Sequence, residues 1–274
     1  MSRVVLVTGC SAGGIGHSLC EEFASKGCKV YATARNISKI DDFPETLPVQ
    51  VEKLELDVNN EESIKKALAY IEEKEGRIDV LVNNAGVSAP GPLVEVPIDQ
   101  VKNVFETNTF AILRMCRAVV PIMSKHKSGT IVNIGSIVGE VPTPWSGVYS
   151  SSKAATLMIS EILTMELSPF NISVVHVAPG AIKSNIANNS RVHLAANSLY
   201  QAFVPFIQKR IDSSQGPNSM PTKDFARRVV GNALRKSPKG YMTMGGHAFM
   251  FSVFKWLPRG LVFYLMLKRF FPRK

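Results

Sequence analysis

Three side chains in this 274-residue chain carry the groups needed to move a proton onto an oxygen: Ser136, Tyr149 and Lys153. Tyr149 and Lys153 stand four apart in Tyr-Ser-Ser-Ser-Lys, a spacing that puts both on one face of a helix. A free phenol has a pKa of about 10, too high to ionise readily near neutrality. A neighbouring ammonium favours the phenolate and lowers that value. A tyrosine so placed can serve as acid or base toward a carbonyl whose oxygen gains negative charge as hydride reaches the carbon. A hydroxyl such as Ser136 can orient that oxygen. Tyr and Lys at this spacing occur on many helices without any chemistry. Ser136, thirteen residues earlier at a strand end in Asn-Ile-Gly-Ser, makes the combination specific.

Such a set needs rigid elements beneath it. Strands are predicted at Val4–Thr8, Lys29–Thr33, Val51–Leu56, Asp79–Asn83, Thr130–Ile134 and Ile172–Val177 from β-branched apolar runs. Helical apolar spacing predicts helices at Ile15–Ser25, Glu61–Glu75, Asp99–Met123 and Gly147–Leu167. This alternation predicts an α/β fold: a doubly wound, parallel, Rossmann-type sheet with right-handed crossovers, in a single domain. Ligands of such sheets sit at the carboxyl ends of the strands, where most of the residues discussed here fall. After Gly180 the pattern becomes irregular. A loop and helix are expected over 184–212, a polar stretch over 212–221 and a basic helix over 222–236.

The turn Thr8-Gly9-Cys10-Ser11-Ala12-Gly13-Gly14-Ile15-Gly16 joins the first strand to the first helix. Its glycines let the backbone approach a pyrophosphate, and the helix N-terminus offers free N–H groups. On this segment the chain resembles the short-chain dehydrogenase/reductase family, whose fingerprint is TGxxxGxG. Here one residue more separates Gly9 from Gly16, and either Gly13 or Gly14 takes the middle place. The resemblance extends to Asn83-Asn84-Ala85-Gly86 after the fourth strand, to the Ser136–Tyr149–Lys153 set, and to Asn108 in Glu-Thr-Asn-Thr. It also covers Pro179-Gly180, with Ile182 and Ser184 following; the family has Thr where this chain has Ser184. The resemblance implies roles for these residues. Gly9, Ser11, Gly14, Ile15 and Gly16 cradle the phosphates of the cofactor. Asp57 and Val58 meet the adenine, and Asn84, Ala85 and Gly86 line the pocket. Lys153 also holds the nicotinamide ribose. Asn108 positions a water for proton relay, and Pro179, Gly180, Ile182 and Ser184 hold the carboxamide. His176, on the sixth strand, reads as a core histidine.

The second strand decides which cofactor to expect. A site for NAD needs a carboxylate there for the ribose 2′-hydroxyl, whereas a 2′-phosphate needs a cation. No Asp or Glu lies between Lys29 and Ile40, and Arg35 follows the strand. NADPH is therefore the expected cofactor. None of the four cysteines forms a CxxC pair or a metal spacing with the five histidines, so no metal is expected and the thiols read as reduced.

Charge is unevenly spread. Residues 191–274 hold 15 Lys/Arg against 2 Asp/Glu, while residues 1–190 hold 17 against 20. No nucleic-acid recognition motif accompanies the basic third. The charge-free run Tyr241–Phe254 would span about 21 Å as a helix, short of the roughly 30 Å hydrocarbon core of a bilayer. A catalytic domain over 1–245, with its substrate region at 183–220, is thus expected to carry a tail at 246–274. Interleaved aromatic and basic residues suit that tail to a membrane or lipid-droplet surface; a packed lid or a homodimer contact is the other reading. The expected location is the cytosolic face of the endoplasmic reticulum or of lipid droplets, otherwise the cytoplasm. Through about residue 245 the resemblance is closest to the 1-acyldihydroxyacetone-phosphate reductases, which implies a lipid-like ketone substrate. Hydroxysteroid and retinol dehydrogenases share the motifs. In the substrate region Leu199, Phe203, Phe206 and Ile207 offer apolar contacts, and Arg191, Lys209 and Arg210 offer cations for a phosphate.

Overall fold

The structure, a computed structural model, describes residues 2–186, 192 and 194–271. Strands β1 (Val4–Val7), β2 (Lys29–Ala34), β3 (Glu52–Glu55), β4 (Val80–Asn83), β5 (Gly129–Ile134) and β6 (Ile172–Pro179) follow the predicted runs within a residue or two. A two-residue pair, β7 (Ile182–Lys183) and β8 (Met220–Pro221), stands apart from the main sheet, which gains a seventh strand, β9 (Tyr241–Met244). The sheet order is β3-β2-β1-β4-β5-β6-β9, and every pairing is parallel. The chain reverses its direction of travel across the sheet at β1 and β4, which opens the ligand crevice at their carboxyl ends. β9 escaped sequence reading because Tyr-Met-Thr-Met has neither a β-branched run nor alternation; as an edge strand it is only partly buried.

The strands are apolar on both faces because helices cover both. On one side α1 (Ile15–Ser25) packs with Leu19 and Phe23 against Val5, Val30 and the Phe225–Val230 face of α7 (Thr222–Ala233). On the other, Ile64, Leu68 and Ile71 of α2 (Glu61–Glu75) and Met115, Val119 and Met123 of α4 (Ala111–Lys125) cover Leu6, Leu81 and Ile131. The limits of α2 follow from local chemistry. Asn60 accepts the Ser63 N–H at 3.0 Å at its start, and Gly76 takes the left-handed conformation (φ 67°) at its end.

The long helix expected over 99–123 runs as α3 (Ile98–Phe105), a π turn (Glu106–Phe110) and α4. Such turns insert one residue into a helix and collect at functional sites; Asn108 lies at the centre of this one. The 20-residue α5 (Gly147–Glu166) carries Tyr149 and Lys153 in its first two turns.

Beyond β9 the chain forms α8 (Ala248–Phe254) and α9 (Arg259–Phe270). Their inner residues Phe251, Val262, Met266 and Phe270 join Ile137, Val138, Trp145 and Ile207 of α6 (Val204–Asp212) in a third apolar cluster. The Trp145 indole N–H donates to the Phe270 carbonyl at 3.2 Å. No helix among the described residues is long and apolar enough to cross a membrane.

Candidate active site

The carboxyl ends of the strands border one cleft of about 680 Å³. The glycine-rich turn forms its floor. Gly9 adopts φ +70°, and a Cβ there would lie 2.7 Å from the Ala85 Cα, so only glycine lets the β1 turn close onto the β4 turn. Asn84 fastens the two turns together: its amide nitrogen donates to the carbonyls of Thr8 and Gly9, both at 2.9 Å. The Thr8 hydroxyl accepts the backbone N–H groups of Asn84 and Ala85 at 3.0 and 3.1 Å. Gly13 supplies the left-handed position (φ +65°), while Gly14 is the extended N-cap of α1 and lies on the cleft wall. The extra residue of the fingerprint is thereby resolved: Gly13 turns the chain and Gly14 faces the cleft.

Of the expected cofactor residues, Gly9, Ser11, Gly14 and Ile15 line the cleft, as do Arg35, Asp57 and Val58 and then Asn84, Ala85 and Gly86. Pro179, Gly180, Ile182 and Ser184 line it from the β6 side. Gly16 does not. It lies in the first turn of α1, where a Cβ would sit 2.5 Å from the Gly9 carbonyl oxygen, so its place is helix-to-turn packing rather than ligand contact. The glycine cradle and Arg35 fit a phosphate-rich dinucleotide: one offers helix N-terminal amides, the other a cation beyond β2.

Ser136, Tyr149 and Lys153 meet on the same cleft at the ends of β5 and α5. Lys153 is buried at 4% exposure, and its ammonium donates to the Ile134 carbonyl at 2.7 Å. Its nitrogen lies 5.7 Å from the centre of the Tyr149 ring. Burial pulls its pKa down to about 8. Burial pushes the Tyr149 phenol up to about 12, against the opposing pulls of the Ser136 hydroxyl and the Arg210 guanidinium. The sequence predicts a phenol lowered by Lys153. In the folded protein desolvation outweighs the opposing pulls, and the cation among them is Arg210, which approaches only through tertiary folding.

Asn108 lies in the π turn between α3 and α4. It is fully buried, and its side chain is already occupied. Its oxygen accepts the Val87 N–H at 2.8 Å, and its nitrogen donates to the Val87 carbonyl at 2.9 Å and to Ser152 Oγ at 3.0 Å. Among the described residues Asn108 is not on the cleft wall. Its place is to clamp the loop after β4 to α5 beside Tyr149 and Lys153. His176 is a core residue: it is 3% exposed, sits 3.3 Å from Ser160 Oγ, and burial drops its pKa to about 4. The buried amides of Asn83 and Asn133 bond each other at 2.9 Å and tie β4 to β5 under the site.

The substrate side departs further. Ile207 is buried and Phe203 packs in the third cluster, but Leu199 is 85% exposed because it precedes α6 and lies outside its periodicity. Lys209 points to solvent and Arg191 lies outside the described residues; only Arg210 of the three expected cations lines the cleft. Trp145, His247, Phe251, Arg269 and Phe270 line it too. Sequence reading missed them because they are distant in the chain and match no motif. The aromatic–basic composition of the tail was the one available signal.

A family model described as short chain dehydrogenase matches residues 3–195. The chain belongs to the short chain dehydrogenase family and is an NAD(P)-dependent oxidoreductase. It is 35% identical to the short-chain dehydrogenase cctT of Talaromyces islandicus, over 97% of this chain and 94% of that one. It is 32% identical to an NADPH-dependent 1-acyldihydroxyacetone phosphate reductase of Schizosaccharomyces pombe, over 73% of this chain and 69% of that protein. A short chain dehydrogenase from Burkholderia cenocepacia, solved in complex with NADP, superposes with a TM-score of 0.75 at 25% identity, covering 97% of this chain and 98% of that one.

Proposed function

We propose that this protein reduces a lipid ketone with NADPH, and that 1-acyldihydroxyacetone phosphate, giving 1-acylglycerol 3-phosphate, is the best candidate reaction. One observation carries the substrate class: Tyr149 shares its cleft with aromatic rings, Trp145, Phe251 and Phe270, and with the guanidiniums of Arg210 and Arg269. A chain with an anionic head matches that wall, whereas a steroid or a retinoid has no use for the cations. The reductase of Schizosaccharomyces pombe adds support from a relative.

The glycine-rich turn, Arg35 and Lys153 would hold NADPH, which would supply the hydride. Tyr149 donates a proton to the carbonyl oxygen as charge builds there. Ser136 hydrogen-bonds that oxygen and fixes its direction. Lys153 stabilises the phenolate that remains. Tyr149 is protonated at neutral pH in the free protein, as reduction requires.

The assay compares NADPH oxidation with acyl-dihydroxyacetone phosphate, its dephosphorylated analogue, a ketosteroid and a retinal. The phosphorylated lipid is expected to give the highest kcat/KM. A steroid or retinal clearly ahead of it refutes this substrate and leaves the oxidoreductase intact.

The reading extends to location at an anionic lipid surface. The outer faces of α8 and α9 and the turn between them leave Phe249, Trp256, Phe263, Tyr264 and Leu267 exposed beside Arg259 and Lys268, a mixture suited to the headgroup boundary. Because the inner faces of the same helices wall the cleft, deleting the tail would damage both functions. The cleaner test is Phe249→Glu with Trp256→Glu. This pair is expected to reduce binding to phosphatidylserine-containing vesicles on the order of tenfold, and wild-type binding should weaken with added salt. Unchanged vesicle partition in the double variant removes the lipid-surface reading.

A further inference from the structure

The substrate half of the cleft holds two cations that nothing in the described protein neutralises. Arg210 comes from the last turn of α6 and Arg269 from the last turn of α9. Both line the cleft, and His247, which precedes α8, lines it beside them. Asp57 is the one acidic side chain on the wall among the described residues, and it sits with Arg35 at the opposite end of the sheet. Arg210 donates from Nη1 to Ser213 Oγ at 3.1 Å, but its Nε is buried without a partner. Arg269 Nη1 has only the Met250 sulfur, at 3.9 Å, and its guanidinium lies 5.7 Å from the Phe270 ring centre.

These groups feel one another. Burial lowers the Arg210 pKa; Tyr149 pulls it back up, and the charge of Arg269 adds to the lowering. Burial likewise lowers that of His247, with Arg269 and then Arg210 adding to it. Like charges facing one space repel, and a buried guanidinium with an unpaired N–H carries a desolvation cost. An anion seated between them relieves both, because guanidinium groups bind phosphate oxygens by short charge-assisted hydrogen bonds.

We propose that Arg210 and Arg269, flanked by His247, form an anion subsite that receives the phosphate head of the substrate while its chain lies along Trp145, Phe251 and Phe270. The identity of the head as a substrate phosphate rests on the function proposed above; the subsite itself rests on the cleft. It also gives the C-terminal helix a second task. The element whose outer face suits a lipid surface contributes, from its last turn, one of the two cations that capture the head.

The experiment uses binding as well as turnover. Trp145 and Trp256 are the two tryptophans of the chain. In a Trp256→Phe background the fluorescence of Trp145 reports the cleft. Hexyl phosphate, hexanol and inorganic phosphate are titrated in turn. Hexyl phosphate is expected to bind at least about tenfold more tightly than either of the others. Arg269→Met should weaken it by roughly the same factor, with hexanol and NADPH binding unchanged, and Arg269→Lys should fall between. Equal binding of hexyl phosphate and hexanol, or indifference to Arg269→Met, overturns the subsite. Inorganic phosphate binding as tightly as hexyl phosphate overturns its assignment to a lipid head. A matching loss of NADPH affinity in Arg269→Met gives the guanidinium to the cofactor instead. If acyl-dihydroxyacetone phosphate is not reduced but hexyl phosphate still binds through Arg269, the proposed substrate fails and the subsite stands.

Discussion

Replacing Tyr149 by Phe is expected to lower kcat for ketone reduction by at least about a hundredfold, the range set by loss of a positioned general acid. The ring remains, so the packing against Trp145 and Val138 in the third cluster is kept. The lost hydroxyl is the group to which Ser136 and Arg210 are directed. NADPH affinity and the melting temperature should therefore stay close to wild type, which separates the loss from misfolding. Near-normal turnover would rule out Tyr149 as the proton donor. The pH profile adds an independent reading. With the phenol near 12, the free protein keeps its acid protonated across the working range, so the limb at high pH belongs to another group. Lys153, near 8, loses its positive charge as pH rises through that value. The kcat/KM for reduction, which reports groups of the free enzyme, should decline above pH 8. A profile flat to pH 10 would contradict this account of Lys153.

Arg35→Asp is expected to change the cofactor. Wild type should prefer NADPH over NADH, because an exposed guanidinium at the end of β2 can pair with the 2′-phosphate. The substitution removes that pairing and sets a carboxylate against the phosphate. The kcat/KM with NADPH should fall on the order of 10- to 100-fold, from the usual strength of charge-assisted hydrogen bonds. NADH should rise or hold, because Asp can accept from the ribose 2′-hydroxyl. Arg35 is on the surface and supports no core packing, so stability should not move. Equal use of both cofactors by the wild type would show that Arg35 does not read the phosphate.

Arg35 could be read from its place after an apolar run and from the missing carboxylate. Tyr149 and Lys153 could be named from their spacing, but not their proton affinities. Those depend on burial and on Arg210, which lies more than a helix away in sequence. Asn108 can be named as a motif position, but its bonds to Val87 and Ser152, which clamp the loop after β4 to α5, exist only in the folded chain. The π turn that presents it leaves no pattern in apolar spacing, since one inserted residue barely disturbs a helical period.

The sequence by itself determined the parallel sheet, the glycine-rich turn at the end of β1 and the positions of Ser136, Tyr149 and Lys153. Those features are local: β-branched runs, glycine geometry and i, i+4 spacing act over a few residues. Tertiary structure alone decided the substrate wall. Residues from 246 onward look like an appendage in composition, but they follow directly on β9, which completes the sheet, and Phe251, Val262, Met266 and Phe270 close over Trp145. Their burial depends on a complementary surface built from the segment between β5 and α5, from β6 and from α6, and no local rule encodes that surface. The same closure brings Arg269 to the cleft with Arg210, so the charge facing the substrate is set by how the chain packs, not by the order of its residues.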